Sequence, residues 1–172
     1  MDLIVYGSLG PEGAERTLAH LLLETALRRE LGLETVPPIA RGARGKPWFP
    51  DLPDLHFNLS HSHGAAVCAL HHLPVGVDVE KRRSAPKRLA AGLGDEAFFR
   101  LWTAREAAVK RAGLGVEALR RTRTPDPLCQ CLEGFLPGCI VTVCPTEAGT
   151  VRTVRGWGAA SNNIPPRPGP VQ

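Results

Sequence analysis

Apolar positions along the chain follow two rhythms. Leu3, Ile4, Val5 and Tyr6 form a short apolar run closed by Gly7-Ser8-Leu9-Gly10-Pro11, which predicts a first strand over residues 2–6. Leu18, Leu21, Leu22, Thr25, Ala26 and Arg29 then keep three-four spacing, and the helix this predicts over 13–31 is stopped by Gly32. Leu55, Phe57 and Leu59 alternate with polar residues, so the stretch reads as a half-buried strand with a polar tip at Ser60, His61 and Ser62. Residues 65–70 are a continuous apolar strand, and Leu73-Pro74 turns the chain into Gly76-Val77-Asp78-Val79-Glu80. Residues 81–95 are basic, then small, and read as a solvated connection. A second long helix is predicted over 95–112, with Asp95 as its N-cap and Gly113 closing it. A strong strand covers 139–144 and a last one 150–155, while the proline-rich 165–170 belongs to a loose tail.

The polar residues inside these elements carry the candidate chemistry. In 76–80 valines alternate with acids, so Asp78 and Glu80 point the same way, about 7 Å apart. Two such charges call for a cation between them. A hard divalent ion satisfies this, and so does a solvated strand edge paired with Lys81, Arg82 and Arg83. On the second helix Trp102, Glu106 and Lys110 are four apart and share a face, which fits either an ordinary helix ion pair or a site. Arg16 opposes the dipole of the first helix, so it either faces an anion or is simply exposed. The loop Arg41-Gly-Ala-Arg44-Gly45-Lys46-Pro47 offers cations and close backbone approach to phosphate, without the Ser or Thr and the helix of a nucleotide-binding P-loop.

Composition narrows the class. The 172 residues make one domain or two small halves, with 43% hydrophobic and 22% charged residues. A formal charge of +4 favours phosphorylated ligands or an acidic partner, but no basic stripe interleaved with aromatics argues for nucleic acid. Five of six histidines fall between 56 and 72, spread over two predicted strands, so His61 reads as an anion donor rather than part of a histidine metal cluster. The spacing of Cys129, Cys131, Cys139 and Cys144 matches no paired zinc pattern, and buried thiols are the preferred reading. No signal segment and no apolar run of about 18 residues is present, so a cytoplasmic protein without membrane contact is expected.

Four stretches taken together resemble the 4′-phosphopantetheinyl transferases of the larger, single-chain pseudodimeric class. They are Gly45-Lys46-Pro47, Phe57-Asn58-Leu59-Ser60-His61-Ser62, Gly76-Val77-Asp78-Val79-Glu80, and Trp102-Thr103-Ala104-Arg105-Glu106-Ala107-Ala108-Val109-Lys110. The resemblance implies an α+β fold of two similar halves, each a small, mainly antiparallel sheet packed with a helix, with the site in the cleft between them. The halves would be 1–75, contacting coenzyme A, and 76–160, carrying metal and catalytic residues, followed by the loose tail over 161–172. It implies transfer of the phosphopantetheine arm of coenzyme A to a serine of an apo acyl- or peptidyl-carrier protein by a monomer, releasing adenosine 3′,5′-bisphosphate. Asp78, Glu80 and Glu106 would hold Mg²⁺, with Mn²⁺ able to replace it. Glu106, or a water it holds, would take the serine proton, and Lys110 would neutralise the leaving phosphate. Arg16, Ser60 and His61 match positions near the 3′-phosphate, and Lys46 and Pro47 those lining the nucleotide. Arg105 stands where lysine is usual, and the N-terminal segment and the 81–97 link are short. A metal-dependent phosphoesterase and a degenerate family member that binds coenzyme A or carrier without turnover are the rival readings.

Overall fold

The computed structural model describes residues 1–90, 92–121 and 126–156. In chain order the elements are β1 (Leu3–Leu9), α1 (Glu15–Leu31), β2 (Ala40–Arg41), β3 (Pro47–Trp48), β4 (His56–Ser62), β5 (Ala65–His71) and β6 (Gly76–Lys81). Then come α2 (Lys87–Ala90), α3 (Asp95–Arg111), a 3₁₀ turn (Val116–Arg120), β7 (Gln130–Cys131), β8 (Cys139–Cys144) and β9 (Val151–Arg155). The fold is α+β, as expected.

Two sheets form face to face between two helices. The first has the order β4-β5-β1-β9, and the second β6-β8-β7. Ile4, Tyr6, Ala66, Cys68 and Leu70 point to α1, whose Ala19, Leu22, Leu23, Ala26 and Leu27 keep helical spacing and are all buried. The alternate residues Leu3, Val5, Ala65, Val67 and Ala69 pack on Val77, Val79, Val141 and Val143 of the second sheet. β1 and β5 are therefore covered on both faces, which is why they read as continuous apolar runs rather than alternating ones. The other face of the second sheet meets α3, where Phe98 and Phe99 pack with Ile140. This parity sends the valines of β6 into the core between the sheets and turns Asp78 and Glu80 toward α3.

Several expectations need correction. β1 does not end at Tyr6: Gly7, Ser8 and Leu9 continue the ladder opposite Val67, Ala66 and Ala65. Gly7 permits this because a side chain there would strike the Phe135 ring at 2.7 Å. The first sheet is mainly antiparallel, as expected, with β9 alone among its strands pairing parallel, on β1. Asp95 is not the N-cap of α3. Gly94 holds that place, and Asp95 Oδ1 instead accepts the Ala85 amide at 2.9 Å, tying the preceding segment down. That segment contains the short α2 rather than being only a solvated connection. The proline-rich stretch and the tail over 161–172 lie outside the described residues. No helix among the described residues is long and apolar enough to cross a membrane.

Candidate active site

β4 and β6 are edge strands of different sheets, and polar side chains join them. On β4, Asn58, Ser60 and Ser62 share one face by period two. Asn58 Oδ1 accepts the Val77 amide at 2.8 Å, and Ser60 Oγ accepts the Val79 amide at 3.4 Å. Ser60 Oγ also donates to Asp78 Oδ1 at 2.7 Å, and Ser62 Oγ donates to Glu80 Oε2 at 2.7 Å. The zip satisfies edge amides that would otherwise be buried without acceptors. It also fixes the two carboxylates of β6. The sequence placed Ser60 at an open strand tip, whereas the structure buries it inside this joint. The alternation Asn58, Ser60, Ser62 was the available signal.

α3 supplies the opposing charge. Gly76 lets β6 approach so closely that a Cβ there would lie 1.9 Å from the Ala107 carbonyl oxygen. One helical turn spans Glu106 to Lys110, and both side chains reach over β6. Lys110 Nζ lies 2.5 Å from Asp78 Oδ1, 3.0 Å from Ser60 Oγ and 3.4 Å from Glu106 Oε2. Burial pulls the Lys110 ammonium down, but Asp78 and Glu106 together outweigh it and hold it above the usual lysine value. Behind these groups the Thr103 and Thr142 hydroxyls share a hydrogen bond of 2.8 Å between α3 and β8. Trp102 stacks on Phe98 at 5.9 Å and is structural in this position.

The three expected metal ligands are not gathered around one point. Asp78, Glu106 and Lys110 come together, while Glu80 is turned to Ser62 and to Arg83, whose Nη1 is 3.2 Å away. Among the described residues no group of three acidic, histidine or cysteine side chains is assembled as a ready metal site. Two adjoining carboxylates nonetheless fit a hard cation, and Asp78 Oδ2 is buried with no hydrogen-bond partner. Such an oxygen needs either a proton on Glu106 or a cation beside it.

Glu106 carries the consequence. Burial first, then the Asp78 charge, push its carboxyl up to about 7 against the pull of Lys110. A folded value above the ordinary 4.5 means that the group contributes stability fully below pH 4.5, and that this is lost as pH rises through 7. In chelator and without ligand, this group should cost up to about 3 kcal/mol between pH 4.5 and pH 8. Urea midpoints should therefore fall with pH in the parent more than in Glu106→Gln. Equal slopes in the two proteins would contradict the assignment.

The remaining predicted residues fall at two further places. The hairpin β2–β3 brings Lys46 against the end of α3, where its Nζ donates to the Arg111 carbonyl at 2.6 Å. Burial, then Arg111, lower the Lys46 ammonium. Arg44, Lys46, Pro47, Trp48, His56 and Arg111 wall an open cleft of about 620 Å³. Arg111 was not singled out from the sequence, and its side chain is anchored by Asp126 at 2.6 Å and by the Pro145 carbonyl at 2.6 Å. Arg16 and His61 stand apart from the Lys110 cluster. Both are exposed, Arg16 in the first turn of α1 and His61 on β4 close enough to Glu15 to help lower its carboxyl. That carboxyl is held mainly by its own backbone amide and by the Gly64 amide, so the start of α1 and the β4–β5 turn are tied together.

Comparison with known proteins points one way. No protein-family model matches the chain. A 4′-phosphopantetheinyl transferase of Bacillus subtilis is 37% identical over 124 residues, which is 61% of this chain and 55% of that protein. The 4′-phosphopantetheinyl transferase Sfp of Bacillus subtilis strain 168 is 32% identical over 123 residues, with the same shares. The 4′-phosphopantetheinyl transferase HetI of a Nostoc species is 30% identical over 137 residues, 67% of this chain and 51% of that protein. The chain spans about half the length of the curated relatives it matches.

Proposed function

Because the chain belongs with the 4′-phosphopantetheinyl transferases of the Sfp type, we propose that it moves the phosphopantetheine arm of coenzyme A onto a serine of an apo acyl- or peptidyl-carrier protein. Adenosine 3′,5′-bisphosphate is the product released. The observation that carries the reading is Lys110 set between Asp78 and Glu106, one residue from the Arg111 carbonyl that anchors Lys46 in the cleft wall. The chain is read as two halves, 1–75 and 76–160, with β9 of the second returning to the sheet of the first, acting as a cytoplasmic monomer with the site where β4, β6 and α3 meet.

The residues divide the work as follows. Asp78 and Glu106, with Glu80 at the margin, would hold Mg²⁺ or Mn²⁺, whose bound charge would offset that of the pyrophosphate. Glu106, or a water it holds, takes the proton of the incoming serine, and a bound cation would keep that carboxyl ionised for the task. Lys110 meets the charge that develops on the leaving phosphate. Ser60, committed to Asp78 and Lys110, orients these two groups rather than reaching the 3′-phosphate. Lys46 and Pro47 line the nucleotide. Arg16 and His61 are left to meet the 3′-phosphate.

The deciding experiment is incubation with coenzyme A, Mg²⁺ and a panel of apo carrier proteins, read by intact mass. Carrier protein should gain the phosphopantetheine mass with Mg²⁺ or Mn²⁺, and full turnover in excess chelator would remove the metal role of the three carboxylates. Cleavage of coenzyme A without an acceptor would favour a phosphoesterase, and binding without transfer a degenerate member. His61→Ala should weaken coenzyme A by about 1–3 kcal/mol, the range for a charge-assisted hydrogen bond. It should leave the 3′-dephospho form almost unaffected. An unchanged ratio of the two affinities returns His61 to an ordinary surface histidine.

A further inference from the structure

Two thiols of the second sheet stand opposite one another. β7 pairs with β8 through Gln130↔Val143 and Cys131↔Thr142, and one step back in the same register Cys129 faces Cys144. The Leu132 amide donates to the Val141 carbonyl at 2.8 Å, so that pair is of the hydrogen-bonded kind. Alternation along the ladder then makes 129/144 a non-hydrogen-bonded pair. At such pairs Cα atoms lie about 4.5 Å apart, inside the span of a disulfide. The other cysteines of this sheet have different neighbours across the ladder, Thr142 for Cys131 and Lys81 for Cys139.

The surroundings of the pair divide the two sulfurs, one accessible and one favoured as thiolate. Cys129 is half-buried and Cys144 buried. The Cys129 thiol has the Cys144 sulfur and the Ala104 carbonyl as acceptors, the latter at 3.4 Å. Arg111 Nη1 donates to Cys144 Sγ at 3.4 Å, and a cation on sulfur favours the thiolate. The hydrogen bond between the thiols itself raises Cys129 and lowers Cys144.

We propose that Cys129 and Cys144 form a reversible disulfide, a redox-controlled modification site behind the cleft. With a small disulfide such as oxidised glutathione, the accessible Cys129 passes its proton across the hydrogen bond to a Cys144 thiolate and attacks one sulfur of the oxidant. A mixed disulfide forms, and the first glutathione leaves as its thiolate. Cys144 then attacks the Cys129 sulfur and expels the second glutathione with its own proton. The two cysteines are oxidised by two electrons, and the glutathione disulfide is reduced to two thiols. Closure changes one of the three acceptors that hold the Arg111 side chain, beside Asp126 and the Pro145 carbonyl, and Arg111 lines the cleft. The switch therefore shifts Arg111 in the wall of the cleft and weakens coenzyme A. This consequence rests on the functional reading above, whereas formation of the bond does not.

The test uses the full chain equilibrated with graded ratios of oxidised to reduced glutathione. Intact mass and non-reducing peptide mapping read the bond, and calorimetry reads coenzyme A affinity. The expected result is loss of two hydrogens, a linked 129–144 peptide and reversal by dithiothreitol. Cys129→Ser and Cys144→Ser should each abolish the link, and Cys131→Ser should keep it. Coenzyme A should bind about fivefold or more weakly to the oxidised form. Glutathione adducts alone, or a link elsewhere, would overturn the proposal. A disulfide with unchanged coenzyme A affinity would overturn the switch. Reduced protein that does not bind coenzyme A at all would overturn the functional reading, and the linked peptide would still decide the bond.

Discussion

Lys110→Ala is expected to lower turnover by about 10²–10³ at saturating coenzyme A and carrier protein, the usual loss for a charge-stabilising donor. Coenzyme A binding should change by no more than about threefold, because Lys110 is bound to Asp78 and Glu106 rather than projecting into the nucleotide cleft. The variant should also be less stable in chelator. Asp78 has only 4% of its side chain exposed, and without the ammonium its carboxylate keeps Ser60 as donor beside a second carboxyl. Removing one partner of a buried pair costs about 3–5 kcal/mol. The value should fall at the lower end, since Lys110 itself is 28% exposed. The loss should grow with pH, as Glu106 ionises with no cation to face it. Single-turnover rates, equilibrium binding and urea midpoints at two pH values separate these effects. Binding that fell as far as turnover would make Lys110 a ground-state phosphate ligand instead.

The charged core of this site was legible because its spacing is local. Asp78 and Glu80 share a face by period two, and Glu106 and Lys110 share one by period four, whatever the rest of the chain does. That β6 sends its acids toward α3 also follows from its valines, which must enter the core. The partners of these groups were not legible, since they depend on pairing between distant segments. The sequence pattern offers Ser60 as a free donor because the apolar alternation ends at Leu59. In fact β4 runs on to Ser62 and closes through His63 and Gly64, both at positive φ, a tight hairpin that fixes its register against β5. That register turns Ser60 toward β6. β9 on β1, Cys129 opposite Cys144, and Arg111 under Lys46 join residues far apart in sequence, and no local periodicity encodes them. Asp95 departs from the cap position for a different reason. An aspartate beside a helix start satisfies the sequence signal equally at the cap or one residue inside, and the demand of the Ala85 amide decides.

Gly76→Ala should damage both stability and transfer, although Gly76 contacts no ligand in the proposed mechanism. A Cβ at this position would lie 1.9 Å from the Ala107 carbonyl oxygen and 2.5 Å from the Arg111 amide nitrogen. Both are helix backbone, so no side chain can rotate away to make room. The glycine is not needed for a left-handed conformation, since its φ is not among the positive ones. The effect is therefore steric alone, and α3 must back off from β6 by about an ångström or more to reach ordinary contact distance. That motion opens the core between helix and sheet and should cost about 3 kcal/mol or more. It also carries Glu106 and Lys110 away from Asp78, and a misplacement of about 1 Å can cost about 10² in rate. Gly149→Ala is the matched control, because nothing lies within 4 Å of its Cβ and its φ is ordinary. It should stay within about 0.5 kcal/mol of the parent. Urea midpoints and the carrier-loading rate measure the two consequences, and Gly76→Val should worsen both. A Gly76→Ala protein with parental stability would mean that α3 does not lie this close to β6, and the geometry that joins Asp78 to Glu106 and Lys110 would fall with it.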